Sequence, residues 1–91
     1  MTAFTIKPTS AFRKDYKRAI KQGHDIALLD EVIALLASGK PLPERYRDHK
    51  LSGNWANHRE CHILPDWRLI YYIKADALVL TRMGSHSELF S

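Results

Sequence analysis

The sequence predicts an α+β domain: a short N-terminal strand, an antiparallel helix pair, then a three-stranded antiparallel meander. Three observations carry this reading. Apolar residues recur at helical spacing between positions 12 and 36. Aromatic and β-branched residues gather between positions 60 and 83. Turn residues punctuate both stretches. Helices and strands that fall into separate blocks belong to α+β rather than alternating α/β architectures.

Thr5-Ile6-Lys7 reads as the first strand, ended by Pro8, which has no N–H to offer a ladder. Ser10 stands where a helix cap is needed. Phe12, Tyr16, Ala19 and Ile20 follow at helical spacing, and Gly23 ends that helix. A second helix begins near Asp25. Ile26, Leu29, Val32, Ile33 and Leu36 form its apolar stripe, and Gly39 with Pro41 stops it. Residues 40–57, with Pro41, Pro43, Gly53 and Asn54, read as a loop, which Tyr46, Leu51 and Trp55 imply is packed. Strands follow at 60–64, 67–74 and 77–83, joined by turns at Pro65-Asp66 and Ala75-Asp76. The tail from Gly84 is polar until Leu89-Phe90.

With 91 residues, one domain spanning 1–91 is expected, with a single modest core. No apolar run approaches the roughly 18 residues of a membrane span. Met1-Thr2-Ala3-Phe4-Thr5 lacks the basic and apolar segments of a signal peptide. Cys61 is the only cysteine, so no disulfide staples the fold, and a reducing cytoplasm is the expected location. The formal charge of +4 suits a polyanionic partner, nucleic acid above all.

Both meander turns read as two-residue hairpin loops. Lys74 then faces Ala77, and counting back sets Leu69 opposite Arg82. Leu64 faces Trp67, which sets His62 opposite Leu69 as well. His62, Leu69 and Arg82 are thus expected in one row, with Trp67 on the same face. The backbones of His62 and Arg82 would lie roughly 9–10 Å apart, close enough for both side chains to reach one phosphate. Asp66 and His86 belong to the same end of the sheet. His58 and His62 would lie about 13 Å apart along a strand, too far to share a metal ion, so neither metal nor cofactor is expected. Cys61 reads as a small buried apolar residue and not as a nucleophile.

These residue types suit metal-free RNA cleavage, in which the neighbouring 2′-hydroxyl is the nucleophile. That reaction needs a base, an acid for the leaving 5′-oxygen, and positive charge for the phosphorane. Histidine can fill either proton role, each worth about 10²–10⁴-fold. Arg82 can pair with the phosphate through its planar fork. Trp67 and Phe90 can stack bases at about 1–3 kcal/mol each.

The stretch Leu42-Pro43, Tyr46, Asp48-His49, Leu51, Gly53, Trp55, Arg59, His62, Pro65-Asp66-Trp67, Leu69-Ile70-Tyr71, Arg82, Gly84, His86 and Leu89-Phe90 resembles the YafQ-type toxins of the RelE/ParE superfamily. These are the toxin halves of bacterial type II toxin–antitoxin pairs. The resemblance implies a RelE-like twisted sheet with the helix pair on one side. It implies a ribosome-dependent endoribonuclease, an mRNA interferase that cuts mRNA in the 30S decoding site beside 16S rRNA. It also implies a cognate antitoxin protein that blocks it, with no membrane partner. Carried over by position, the family's active-site set falls on His49, His62, Asp66, Trp67, Arg82, His86 and Phe90. His86 is the leading candidate for the acid. His49, His62 and Asp66 are candidates for the base or for holding the phosphate or 2′-hydroxyl.

Two rivals share parts of this pattern. A ParE-like gyrase inhibitor has the same fold but needs no acid–base histidines. A non-catalytic helix-turn-helix module would need basic residues on its second helix, and residues 25–37 contain no Lys or Arg.

Overall fold

The structure is a computed structural model that describes residues 3–90, so the part of the leader reading that rests on Met1 and Thr2 lies outside the described residues. The chain runs β1 (Thr5–Pro8), α1 (Ser10–Lys21), α2 (Ile26–Ala37), β2 (His49–Lys50), β3 (Arg59–Leu64), β4 (Trp67–Lys74), β5 (Ala77–Gly84) and α3 (His86–Phe90). One-turn 3₁₀ helices at Glu44–Tyr46 and Gly53–Trp55 flank β2. Among the described residues the strands form one sheet in the order β1-β5-β4-β3-β2. β1 is parallel to β5, and the remaining pairings are antiparallel. No helix among the described residues is long and apolar enough to cross a membrane.

Both expected helices form, and their ends follow from local chemistry. Thr9, not Ser10, caps α1. Its backbone is still extended, its hydroxyl accepts from the Phe12 N–H at 3.0 Å, and it donates to the Thr81 carbonyl at 2.8 Å. The cap thus also ties α1 to β5. At the other end Gly23 sits at φ +82, its N–H bonding Ile20 O and the His24 N–H bonding Ala19 O. This paired closure needs a left-handed residue, which glycine adopts without a Cβ penalty. Asp25 caps α2 through the Ala27 N–H.

Leu29, Val32 and Leu36 of α2 and Phe12 and Ala19 of α1 bury against Cys61, Ile63, Trp67, Leu69, Tyr71, Leu78, Leu80 and Met83 of the sheet. Each large apolar side chain so buried contributes about 1.5–3 kcal/mol. Because strand side chains alternate, the residues between these core positions face away from the helices. Glu60, His62 and Arg68 are among them.

The meander begins as expected and then departs from the expected register. Lys74 pairs with Ala77 and Leu64 with Trp67. Each ladder then takes in one extra residue, Ile63 on β3 and Thr81 on β5. His62 therefore faces Arg68, Leu69 lies between Cys61 and Met83, and Arg82 faces Ile70. The expected row of His62, Leu69 and Arg82 does not form. A one-residue bulge moves a side chain to the other face, and two bulges moved both ends of that row.

The stretch expected to be a loop contains β2, which adds a fifth strand to the sheet: His49 pairs with Glu60 and Lys50 with Arg59. The tail is also more ordered than expected. Ser85 and Glu88 form a capping box at α3: the Ser85 N–H donates to Glu88 Oε1 at 2.8 Å, and the Glu88 N–H donates to Ser85 Oγ at 3.2 Å. Leu89 is buried and anchors the helix.

Candidate active site

Glu60 is the centre of the polar face. It is 2% exposed. Its Oε1 lies 3.2 Å from Nε2 of His49, 3.2 Å from Nε2 of His62 and 3.6 Å from Nη1 of Arg68. Its Oε2 has no hydrogen-bond partner among the described residues. The rings of His49 and His62 stand edge to face with centroids 5.9 Å apart.

Tautomer logic restricts His49. Its Nδ1 contacts the Arg47 carbonyl oxygen, which can only accept, so Nδ1 carries a hydrogen. Its Nε2 faces a carboxylate oxygen, and an attractive contact there needs a proton on one of the two atoms. His49 reaches Glu60 because Asp48 anchors β2. Asp48 accepts from the Tyr71 hydroxyl at 2.5 Å and from Nε and Nη2 of Arg59 at 3.2 and 3.3 Å. The Asp48 hydrogen bond holds the Arg59 guanidinium above its ordinary range. Burial, and then the bond to Asp48, push the Tyr71 hydroxyl up.

His86 enters from α3. The carboxylate of Asp66 accepts its backbone N–H at 3.0 Å, which fixes the helix start beside the β3–β4 turn. Its Nδ1 lies 2.9 Å from Nη1 of Arg68. Its ring tilts against Phe90 at 5.0 Å between centroids. Arg68 thus bridges His86 to Glu60. Its Nε is buried without a partner among the described residues.

The structure brings together His49, His62, Asp66, His86 and Phe90. It does not bring Trp67 or Arg82 to them. Trp67 is 2% exposed, belongs to the core and stacks on His24 at 4.2 Å, at the floor of the concavity that Asp66 and Ser85 also line. Arg82 is bound to Asp15 of α1, with Nε to Oδ2 at 2.7 Å and Nη2 to Oδ1 at 3.2 Å. The Asp15 bond holds that guanidinium above its ordinary range. Asp15 is itself buried and also accepts from the Met83 N–H and from Arg18. Cys61 faces the core, and burial pushes its thiol up, which leaves it unreactive as expected.

Glu60 and Arg68 are the members that sequence reasoning missed. Glu60 carried a signal, since it shares a strand face with His62 two residues on. Arg68 was hidden by the bulge at Ile63, which alone sets it opposite His62.

His49, Glu60 and His62 each offer a donor atom within 4.8 Å of the others, so this trio could hold a metal ion. The distance from His58 to His62 along one strand does not bear on it, because β2 brings His49 in beside Glu60. His58 instead packs between Trp55 and Tyr72.

Beside His62, a concavity is lined by Arg45, Arg47, Leu28 and Pro65 among others. A second, past Asp66, is lined by Ser85, Ser87 and Gln22. The two concavities adjoin at Leu64, which lines both.

Residues 4–91 match the sequence profile of a family described as the YafQ bacterial toxin of type II toxin–antitoxin systems. The mRNA interferase toxin YafQ of Escherichia coli strain K12 is 38% identical over 86 residues, which is 93% of this chain and 94% of that one. Among solved structures, YafQ in the E. coli DinJ–YafQ complex superposes with a TM-score of 0.90 at 37% identity, covering 97% of this chain and 99% of the other. A metal-bound toxin from Helicobacter pylori gives a TM-score of 0.90 at 46% identity, covering 96% and 99%.

Proposed function

The chain belongs to the YafQ family of bacterial type II toxins, and from that premise we propose that it is an endoribonuclease that cleaves mRNA on the ribosome by histidine acid–base catalysis. The observation that carries this reading is the convergence of three histidines from β2, β3 and α3 on one Glu60–Arg68 pair.

The reaction follows from that arrangement. A 2′-oxygen attacks the adjacent phosphorus and forms the 2′-O–P bond. The P–O5′ bond breaks and leaves a 2′,3′-cyclic phosphate and a 5′-hydroxyl. The 2′-hydroxyl proton passes to an imidazole of the His49–His62 pair, where Glu60 can stabilise the resulting imidazolium. His86 delivers a proton to the departing 5′-oxygen. Asp66 holds His86 in place through its backbone. Phe90, half-buried beside His86, is the aromatic surface for a base, and Arg45 and Arg47 flank the path of the chain. The nucleophile comes from RNA and both proton carriers are imidazoles, so the chemistry needs no metal. The partners are mRNA, the 30S decoding site with its 16S rRNA, and a DinJ-like antitoxin protein. The location is the cytoplasm, where translating ribosomes are.

The test is cleavage of mRNA on translating ribosomes, mapped by primer extension, with toxin stripped of metal by a chelator and desalted before it meets the ribosomes. We expect cleavage by the stripped wild type and a loss of at least 10²-fold in His86→Ala, with the folded state intact by circular dichroism. Full activity in that variant would exclude His86 as the acid. Activity lost on stripping the toxin and restored by preloading it with a transition-metal ion would exclude the metal-free route.

A further inference from the structure

We propose that Arg68 is a further catalytic residue: it meets the scissile phosphate during cleavage, and in the free protein it is parked on His86. This rests on the ribonuclease reading and deepens it.

The argument starts from what each nitrogen can do. A guanidinium has only donors. At 2.9 Å from Arg68 Nη1, Nδ1 of His86 must therefore present its lone pair, and the ring carries its hydrogen on Nε2. That imidazole is neutral. The proton sent to a leaving alkoxide comes far more readily from an imidazolium, which has hydrogens on both nitrogens. An imidazolium cannot keep the Arg68 contact, because two N–H groups and two positive charges would then face each other. The parked state and the proton-loaded state of His86 exclude one another.

Arg68 is held less firmly than Arg82, and when it turns away Glu60 still keeps His49 and His62 at 3.2 Å. The other charged neighbour of Arg68, Glu60 Oε1, is 3.6 Å away, beyond hydrogen-bond length. Its Nε is buried with no partner among the described residues. Arg82 is placed quite differently. Two of its nitrogens are held by Asp15, a buried carboxylate that also secures the Met83 N–H, so withdrawing Arg82 would strip a buried charge of partners. Of the two arginines on β4 and β5, Arg68 is the one with a weak hold and a place opposite His62.

A phosphate arriving between His62 and His86 offers Arg68 two oxygens in the planar geometry its fork matches. Once Arg68 turns to the phosphate, Nδ1 of His86 is released to take up a proton from solvent. The His86 backbone N–H stays on the Asp66 carboxylate and its ring on Phe90, while Glu88 is turned away onto the Ser85 N–H and Arg18. A phosphate in place of the guanidinium puts an anion where a cation stood, which favours the imidazolium. Substrate binding and acid loading become one event.

Two measurements test this. The first is the nitrogen-15 spectrum of the His86 ring in the free protein, at a pH where the ring is neutral. We expect a bare Nδ1 and a protonated Nε2 in the wild type, and a loss of that bias in Arg68→Met. An Nδ1–H tautomer in the wild type, or the same spectrum in the variant, overturns the parking contact. The second is single-turnover cleavage on translating ribosomes. Arg68→Met should lose about 10²–10³-fold, with partial recovery in Arg68→Lys. Cleavage by Arg68→Met within threefold of wild type overturns the phosphate role. A wild-type protein that leaves mRNA intact counts against the ribonuclease reading instead. The ring spectrum, taken without RNA, still decides the contact with Arg68.

Discussion

A carboxylate as buried as that of Glu60 persists only where donors compensate the lost water, and here His49, His62 and Arg68 do so. The same arrangement makes Glu60 the group that sets the charge available to both imidazoles. Glu60→Gln keeps the shape and removes the charge, so we expect cleavage to fall by about 10²-fold with little change in thermal unfolding. An unchanged rate would show that the carboxylate is only structural. At this scale the sequence is readable where the proposed site is spelled by unusual residues in a recognisable string, as with His62, Asp66 and His86. It is unreadable where the role depends on who sits opposite. Glu60 and Arg68 are common surface residue types, and only β2 and the Ile63 bulge turn them inward to the histidines. Trp67 shows the opposite error, since a residue able to stack bases is here claimed by the core.

The elements were legible by period and caps, and their details failed where a local irregularity intervened. Ile63 and Thr81 are strand-forming residues that fit the pattern either way, so nothing in the periodicity marks them as bulges. The short helix α3 could have been found, because Ser85-His86-Ser87-Glu88 has the spacing of a capping box. That box gives α3 a pH dependence of its own. The backbone N–H of Ser85 holds the Glu88 carboxyl below its ordinary value of 4.5, and Arg18 adds to the effect. A depressed carboxyl stabilises the fold above its ordinary value, and this contribution is lost as pH falls through the depressed one. We therefore expect the amide protection factors of residues 85–89 to fall below about pH 4.5, before the core strands open. Glu88→Gln should show fast exchange at neutral pH too. Protection of α3 that is flat down to global unfolding would contradict this.

Across the whole molecule, the charge of +4 is not spread evenly over the functions it serves. Arg59 and Arg82 are occupied by Asp48 and Asp15, while Arg45 and Arg47 stay exposed around the concavity that His62 lines. Binding to RNA should weaken with salt, with log affinity falling by roughly 0.7 per neutralised phosphate on a log salt scale. Filter binding across a salt series measures that slope, and a flat response would argue against a phosphate-tracking surface. The overall architecture followed from the order of the blocks, but the parallel place of β1 beside β5 did not, because the sequence holds no mark of which edge the first strand joins. That pairing sets Thr5 next to Ala77, so the earliest strand to be synthesised waits for the latest. His49, His62 and Arg68 likewise leave the translating ribosome before His86 and before β5 can complete the sheet around them. A half-made chain has no assembled cluster, so the catalytic role proposed above has to wait until α3 has been made.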